Sequence, residues 1–393
     1  MTLNKKGIGL ILGGVMKINK EKEINIIIED VKRIFEKLYY INIQNFSVNG
    51  CAEYDDEKCF FKIVDEELFI KELNGYLISY KEIPIMKMLF AKHLFNSKKY
   101  LLVYMYDSNI NKDDGLLNDV FVRNDLSKII NQEDVKCLHK VLKIYKKIYN
   151  GKKKMLSYCP SNIFFSERVD VRLKPWYKNL INSKIKIEVK NKTYNIGNII
   201  NETIKYFENN KETRYECILS QGDPNTLNIS VSPNFLDLVT AGYNPIIGEL
   251  AITLISTLIY DSYFCPKYHE NSYYLHDKVR EQLDYFKPDI VIKKNVKKIR
   301  IESNIKTSSI RKKYMKSYLR ILKKSNINMT SDIIYYIVMR LLCVFNINKM
   351  SKEDYYYSLY MICYFYNMIS GSQNVYNALE KIIDEMEDVR NEK

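Results

Sequence analysis

Apolar positions change their spacing several times along this 393-residue chain. In "INIIIEDVKRIFEKLYY", residues 24–40, they recur every three or four positions, which predicts a helix. "NIQNFSVNG" (42–50) and "KCFFKIVD" (58–65) alternate or run apolar and are rich in Phe, Ile and Val. They predict strands, with turns at Asn49-Gly50 and Asp55-Asp56. "EELFIKELNGYLISYK" returns to helical spacing, and Pro84 follows shortly after its end. "KYLLVYMYD" predicts a strong strand at 99–107. Residues 1–106 thus read as a small β-rich lobe with one interior helix.

From Asp107 the pattern turns helical. "DLSKIINQEDVKCLHKVLKIYKKIY" and "IGNIINETIKYFENN" both carry apolar stripes, and from residue 246 onward nearly everything has a helical period. Residues 151–192 between them read as irregular and hold the single tryptophan, Trp176. No internal repeat is visible. The expectation is an α+β protein of two lobes: β-rich over 1–106, large and mainly helical over 107–393.

Composition adjusts this picture only slightly. Apolar residues make up 46% and charged residues 27%, enough to bury a large core and to exclude a mostly disordered chain. Lys, Ile, Asn and Tyr are used heavily, as AT-rich coding produces, so Lys and Tyr counts alone say little about function. The eight cysteines form no C-x-x-C pair and predict reduced, mostly buried thiols. Cys265, His269 and His276 stand near one another, but no second ligand pair accompanies them, and a loop is the expected reading. Gly7, Gly9 and Gly13 have too few residues before them for the strand a dinucleotide fingerprint needs. The apolar run "NPIIGELAITLISTLIY" carries Glu249 and reads as too short to span a bilayer. The expectation is a soluble, cytoplasmic protein with no transmembrane segment.

Candidate chemistry sits in "LSQGDPNTLNIS", residues 219–230, and "NFLDLVTAGYNP", residues 234–245. Asp223 and Asn228 have the Asp-x-x-x-x-Asn spacing of a phosphoryl-transfer loop, and Asp237 follows. A hydroxyl that attacks a γ-phosphate needs a carboxylate aligned to accept its proton. The triphosphate needs Mg²⁺, which prefers oxygen ligands. Asp223 is the candidate base, with Asn228 and Asp237 as candidate metal ligands. Taken alone, an Asp-Pro-Asn stretch is also an ordinary turn.

From Gln221 to Ala251 the chain resembles the catalytic segment of the aminoglycoside phosphotransferase and choline kinase-like families, which have a protein kinase-like fold. The matching residues are Asp223, Asn228, Asp237, Gly242, Pro245 and Glu249. The resemblance implies an ATP- and Mg²⁺-dependent kinase that phosphorylates a hydroxyl of a small molecule, with residues 1–106 as the nucleotide-binding lobe. More weakly, Lys62 in "FFKIVD" resembles the strand lysine that holds the α- and β-phosphates, and Glu72 its helix partner. "VYMYD", with Tyr104 and Tyr106, falls where the adenine-binding hinge belongs. Gln221 replaces the family's loop-bracing histidine, "FSVNGCAEY" has a single glycine where the phosphate-covering loop belongs, and residues 151–192 and 263–300 look like insertions. Two rival readings are a protein kinase-like enzyme and a non-catalytic scaffold.

Residues 293–324 carry 13 Lys/Arg against one Glu, most of the chain's +14 net charge. Such a segment is either a solvated face or a surface for an anionic partner. Only Tyr314 and Tyr318 are interleaved, which argues against a platform for single-stranded nucleic acid. "EDYYYSLYMICYFYNM" reads as core or as the wall of a substrate pocket.

Overall fold

The computed structural model describes residues 16–43, 48–110, 115–209, 213–268, 277–295 and 298–392. The chain divides into two compact units, one of residues up to Lys71 with Met86–Tyr106, the other of Glu72–Ile85 with Asp107–Lys393. The α+β class and the β-rich and helical halves are as expected.

The first unit is built on a five-stranded antiparallel sheet of order β1-β2-β3-β5-β4. Its strands are β1 (Lys37–Ile43), β2 (Val48–Tyr54), β3 (Glu57–Val64), β4 (Met88–Leu94) and β5 (Lys99–Met105). Asp55 and Asp56 join β2 to β3, both with positive φ (52° and 59°), as a tight two-residue hairpin turn demands. Helix α1 (Met16–Lys32) leads into Phe35, and Ile27, Val31 and Phe35 cover the sheet face formed by Phe61, Ile63, Leu101 and Val103. Alternation puts Lys62 on the opposite face, where Leu102 lies directly across from it and Phe60 is paired with Tyr104.

Three expectations fail here. The helix predicted over 24–40 ends at Lys32, and Lys37–Ile43 is a strand. Asn49-Gly50 lies inside β2 instead of forming a turn. The glycine answers a packing need, since a Cβ there would stand 2.3 Å from the Tyr40 carbonyl oxygen and 2.6 Å from the Phe61 ring. Strand β4 was not anticipated. The interior helix α2, predicted at 66–81, spans Glu66–Ser79.

In the second unit the helix Ile246–Ile255 continues through a π-helical stretch, Ser256–Phe264, into Cys265–Tyr268. This run of 23 residues is long and apolar enough to cross a membrane, which corrects the length argument above. It is almost wholly buried within the protein, as a core helix is. The helix Lys352–Ile369 also belongs to the core, with Tyr356, Tyr357, Tyr360 and Tyr364 all buried. All eight cysteines are free, six of them buried.

Residues 151–192 are largely ordered, chiefly as the helices Pro160–Arg168 and Lys174–Ile181 joined by a π-helical turn, Val169–Leu173. Nor is everything after residue 246 helical. Ile290–Lys294 and Lys298–Ser303 pair with Lys186–Val189 and Lys192–Asn195 in one four-stranded sheet. The two segments that interrupt the family resemblance therefore meet in that sheet.

Part of the basic segment is paired with acidic groups, while Lys293, Lys294, Lys313, Arg320, Lys323 and Lys324 are exposed. Lys298 and Arg300 meet Glu188, Lys306 meets Asp289 at 3.1 Å, and Lys316 meets Asp384. Lys312 donates to the carbonyl oxygen of Met386 at 2.6 Å. Arg311 is wholly buried and holds both carboxylate oxygens of Asp125, its Nε at 2.9 and 3.1 Å. His269, His276, Lys297 and the N-terminal glycines lie outside the described residues.

Candidate active site

The strand Tyr215–Ser220 pairs antiparallel with Gly242–Pro245, and the chain between them forms the loop that carries Asp223, Asn228 and Asp237. Buried polar residues hold this loop. Gly222 turns with φ +86°, and a Cβ there would fall 2.2 Å from the Thr240 carbonyl oxygen, so only glycine fits. Its N–H donates to Glu249 Oε1 at 2.8 Å. Burial pushes the Glu249 carboxyl up to about 7 against the hydrogen bonds that favour its charge. Thr226 donates to Asp261 through both its N–H (3.2 Å) and its hydroxyl (2.5 Å).

Gln221 sits at the centre. Its Nε2 donates to the carbonyl oxygens of Leu236 (2.9 Å) and Asp237 (2.8 Å). Its Oε1 accepts the N–H of Asp223 at 2.8 Å. One buried amide therefore ties the segment of the candidate base to that of the second carboxylate. An amide has the donors and the acceptor for both ties at once.

Asp223 is mostly buried, and Arg340 Nη1 lies 3.4 Å from its Oδ1. Asn228 Nδ2 donates to the Asp223 carbonyl oxygen at 3.0 Å, which fixes the amide and points its oxygen away from that bond. Among the described residues no donor reaches that oxygen. Asp237 is exposed and takes left-handed backbone angles (φ 53°, ψ 79°). Such angles are uncommon outside glycine and concentrate at functional sites. A fixed amide oxygen and a carboxylate are the hard donors Mg²⁺ takes, so this pair fits the ion.

The structure thus gathers Asp223, Asn228 and Asp237 on one loop of the second unit. Glu72 belongs to the same unit and is buried, in the helix whose Gly75 packs so closely that a Cβ would fall 2.1 Å from the Leu238 carbonyl oxygen. Lys62, Tyr104 and Tyr106 lie on the first unit. Lys62 is half-buried in β3, and Lys58 stacks its ammonium 3.8 Å from the Tyr106 ring centroid.

Several residues around this loop escaped the sequence reading. Buried Asn244 accepts the N–H of Ser161 at 2.9 Å and donates to the Thr240 carbonyl oxygen at 2.9 Å. It couples the loop to the start of the helix Pro160–Arg168. Arg340 left a signal: it is the single charge in "IIYYIVMRLLCVF", where an isolated charge demands a partner.

No family model matches the chain, and no curated protein matches it. Solved structures do show likeness. An amicoumacin kinase in complex with AMP-PNP, Ca²⁺ and amicoumacin is 8% identical, with a TM-score of 0.48 over 92% of this chain and 97% of that one. The aminoglycoside phosphotransferase APH(4)-Ia is 10% identical, with a TM-score of 0.45 over 92% and 99%. APH(3'')-Id from Streptomyces rimosus is 9% identical, with a TM-score of 0.43 over 82% and 97%.

Proposed function

We propose that this protein transfers the γ-phosphoryl group of ATP to a hydroxyl of a small molecule. The observation that supports the reading is the braced loop on which Asp223, Asn228 and Asp237 all stand, with Gln221 bonded to the backbone on both sides. Asp223 aligns the acceptor hydroxyl and takes its proton as the oxygen bonds to the γ-phosphorus. The bond from that phosphorus to the bridging oxygen breaks, and ADP leaves. Asn228 and Asp237 would hold Mg²⁺, which when bound supplies positive charge to the phosphates. Lys62 serves the α- and β-phosphates in this reading, Tyr104 and Tyr106 the adenine, and Glu72 keeps the acidic role that the resemblance gives it.

Thermal melting with ATP, with and without Mg²⁺, tests this. The reading expects ATP to raise the melting temperature by several degrees, more with Mg²⁺ than without, since a ligand specific to the folded state stabilises it by mass action. No response to millimolar nucleotide, as a non-catalytic scaffold would give, overturns it.

A further inference from the structure

Two thiols meet beneath the candidate loop. Cys159 Sγ and Cys217 Sγ lie 3.1 Å apart, within reach of a hydrogen bond, and both residues are buried. They come from different elements, 58 positions apart. Cys159 stands at the N-cap of the helix Pro160–Arg168, and Cys217 in the strand Tyr215–Ser220 that leads into the loop of Asp223. Cys217 is flanked by Lys154 on one neighbouring strand and Pro245 on the other. Two residues after Cys159, the Ser161 N–H donates to Asn244 Oδ1 at 2.9 Å, and Asn244 Nδ2 donates to the Thr240 carbonyl oxygen at 2.9 Å. The sulfur pair therefore joins the start of that helix to the foot of the loop.

Other thiols of this protein are placed differently. Cys51 and Cys59 stand on paired strands, but Cys51 lies opposite Phe60 and Cys59 opposite Ala52, so alternation sends them to opposite faces. Burial pushes Cys343 up to about 12 and raises Cys363 as well. Cys159 goes the other way: a hydrogen bond from the Cys217 thiol holds it below the ordinary thiol range against the effect of burial, and the same bond raises Cys217. A helix N-terminus acts in the same sense, since its free N–H groups favour a thiolate. One thiol inclined to ionise, with a second in contact to resolve it, is the arrangement of a redox-responsive pair. The cover over the pair is thin. Lys154–Leu156 is a three-residue edge strand beside Tyr215–Ser220, with Met155 56% exposed, and Tyr158, the neighbour of Cys159, is 76% exposed. Short edge strands with few buried contacts open locally, which admits a molecule as small as hydrogen peroxide.

We propose that Cys159 and Cys217 form a peroxide-responsive thiol pair that closes into a reversible disulfide beneath the Asp223 loop. The Cys159 thiolate sulfur attacks a peroxide oxygen. The S–O bond forms as the O–O bond breaks, and the released hydroxide takes up the proton that Cys159 lost and leaves as water. The Cys217 sulfur then attacks the Cys159 sulfur. The S–S bond forms, the S–O bond breaks, and the oxygen departs with the Cys217 proton as a second water. Two thiols thus give up two electrons, and one hydrogen peroxide is reduced to two waters. Closure needs the sulfurs to approach by only about 1 Å, to a bond of about 2.05 Å. A thiol reductant restores both thiols by exchange. This chemistry is independent of phosphoryl transfer at the loop above.

Reduced full-length protein is titrated with hydrogen peroxide, then denatured in N-ethylmaleimide and read by intact mass and peptide mapping. The expected product has lost two hydrogen atoms and yields a cross-linked peptide pair that holds Cys159 and Cys217. Cys343 and Cys363 should still be alkylated at that dose, and a phosphine reductant should restore the starting mass. Cys217→Ser should stop at a sulfenic acid on Cys159 that dimedone traps, and Cys159→Ser should leave Cys217 unreacted at the same dose, with melting curves confirming that both variants fold. Where a variant does not fold, the wild-type peptide map decides alone. Full alkylation of Cys159 and Cys217 at every dose overturns the pair. So do a cross-link confined to other cysteines, oxidation that reaches Cys343 and Cys363 equally, and a product that the reductant does not return.

Discussion

Gln221 Nε2 donates to the Asp237 carbonyl oxygen at 2.8 Å, so the backbone of the candidate metal ligand is held by the residue two positions before the candidate base. Gln221→Ala removes this tie and the one to the Asp223 N–H, leaving buried groups unpaired. A misplacement of about 1 Å at the loop costs on the order of 10²-fold in rate. Gln221→His keeps one donor and one acceptor and should stay within about tenfold of the wild type. Initial rates of ADP release decide this; equal rates for Gln221→Ala and wild type would remove the brace from the account.

Asp237→Ala should weaken nucleotide binding more with Mg²⁺ than without. A carboxylate that reaches the phosphates through the metal matters only when the metal is there. Titrations of ATP in magnesium and in chelator check it. Equal losses in both would instead mark Asp237 as a structural residue, which its left-handed backbone makes a real alternative.

Glu249 makes stability depend on pH with a definite sign. Its carboxyl is raised from 4.5 to about 7 by burial, so the folded state holds a proton that the unfolded state has released. Its contribution is fully present below about pH 4.5 and is lost as pH rises towards 7, at up to about 1.4 kcal/mol per pH unit. Glu249→Gln should flatten that part of the curve relative to wild type in urea unfolding between pH 5 and 7. Parallel curves would show that the carboxyl is charged throughout.

Asp125→Ala strands the buried guanidinium of Arg311 and should cost about 3–5 kcal/mol. The paired change Asp125→Leu with Arg311→Met should cost much less, because it leaves no buried charge. Urea midpoints measure both. A single-variant loss below about 1 kcal/mol would mean that water reaches Arg311.

Strands β3 and β5 were legible because "KCFFKIVD" and "KYLLVYMYD" alternate densely and no charge pattern competes. The candidate loop could be picked out from spacing, since Asp223, Asn228 and Asp237 stand on one short stretch of chain. The helix 24–40 was overrun because Phe35, Leu38 and Tyr39 continue a helical period by chance and no Gly or Pro marks the break after Lys32. "KIRIES" alternates as a strand should, but its lysine-rich surroundings disguised it as a charged helix. The pairing of Arg340 with Asp223 was not legible, since the two stand 117 positions apart and only folding brings them together.

The central claim is that Asp223 performs phosphoryl transfer. The most direct measurement follows γ-labelled ATP incubated with a small-molecule metabolite extract and either wild type or Asp223→Asn, with Mg²⁺-ATP affinity measured in parallel. The account predicts that wild type moves label into an organic phosphate. It predicts a fall of about 10²–10⁴-fold in Asp223→Asn while nucleotide affinity is nearly unchanged. Equal transfer by the two proteins, or a wild type that binds Mg²⁺-ATP yet labels nothing in the extract, would contradict it.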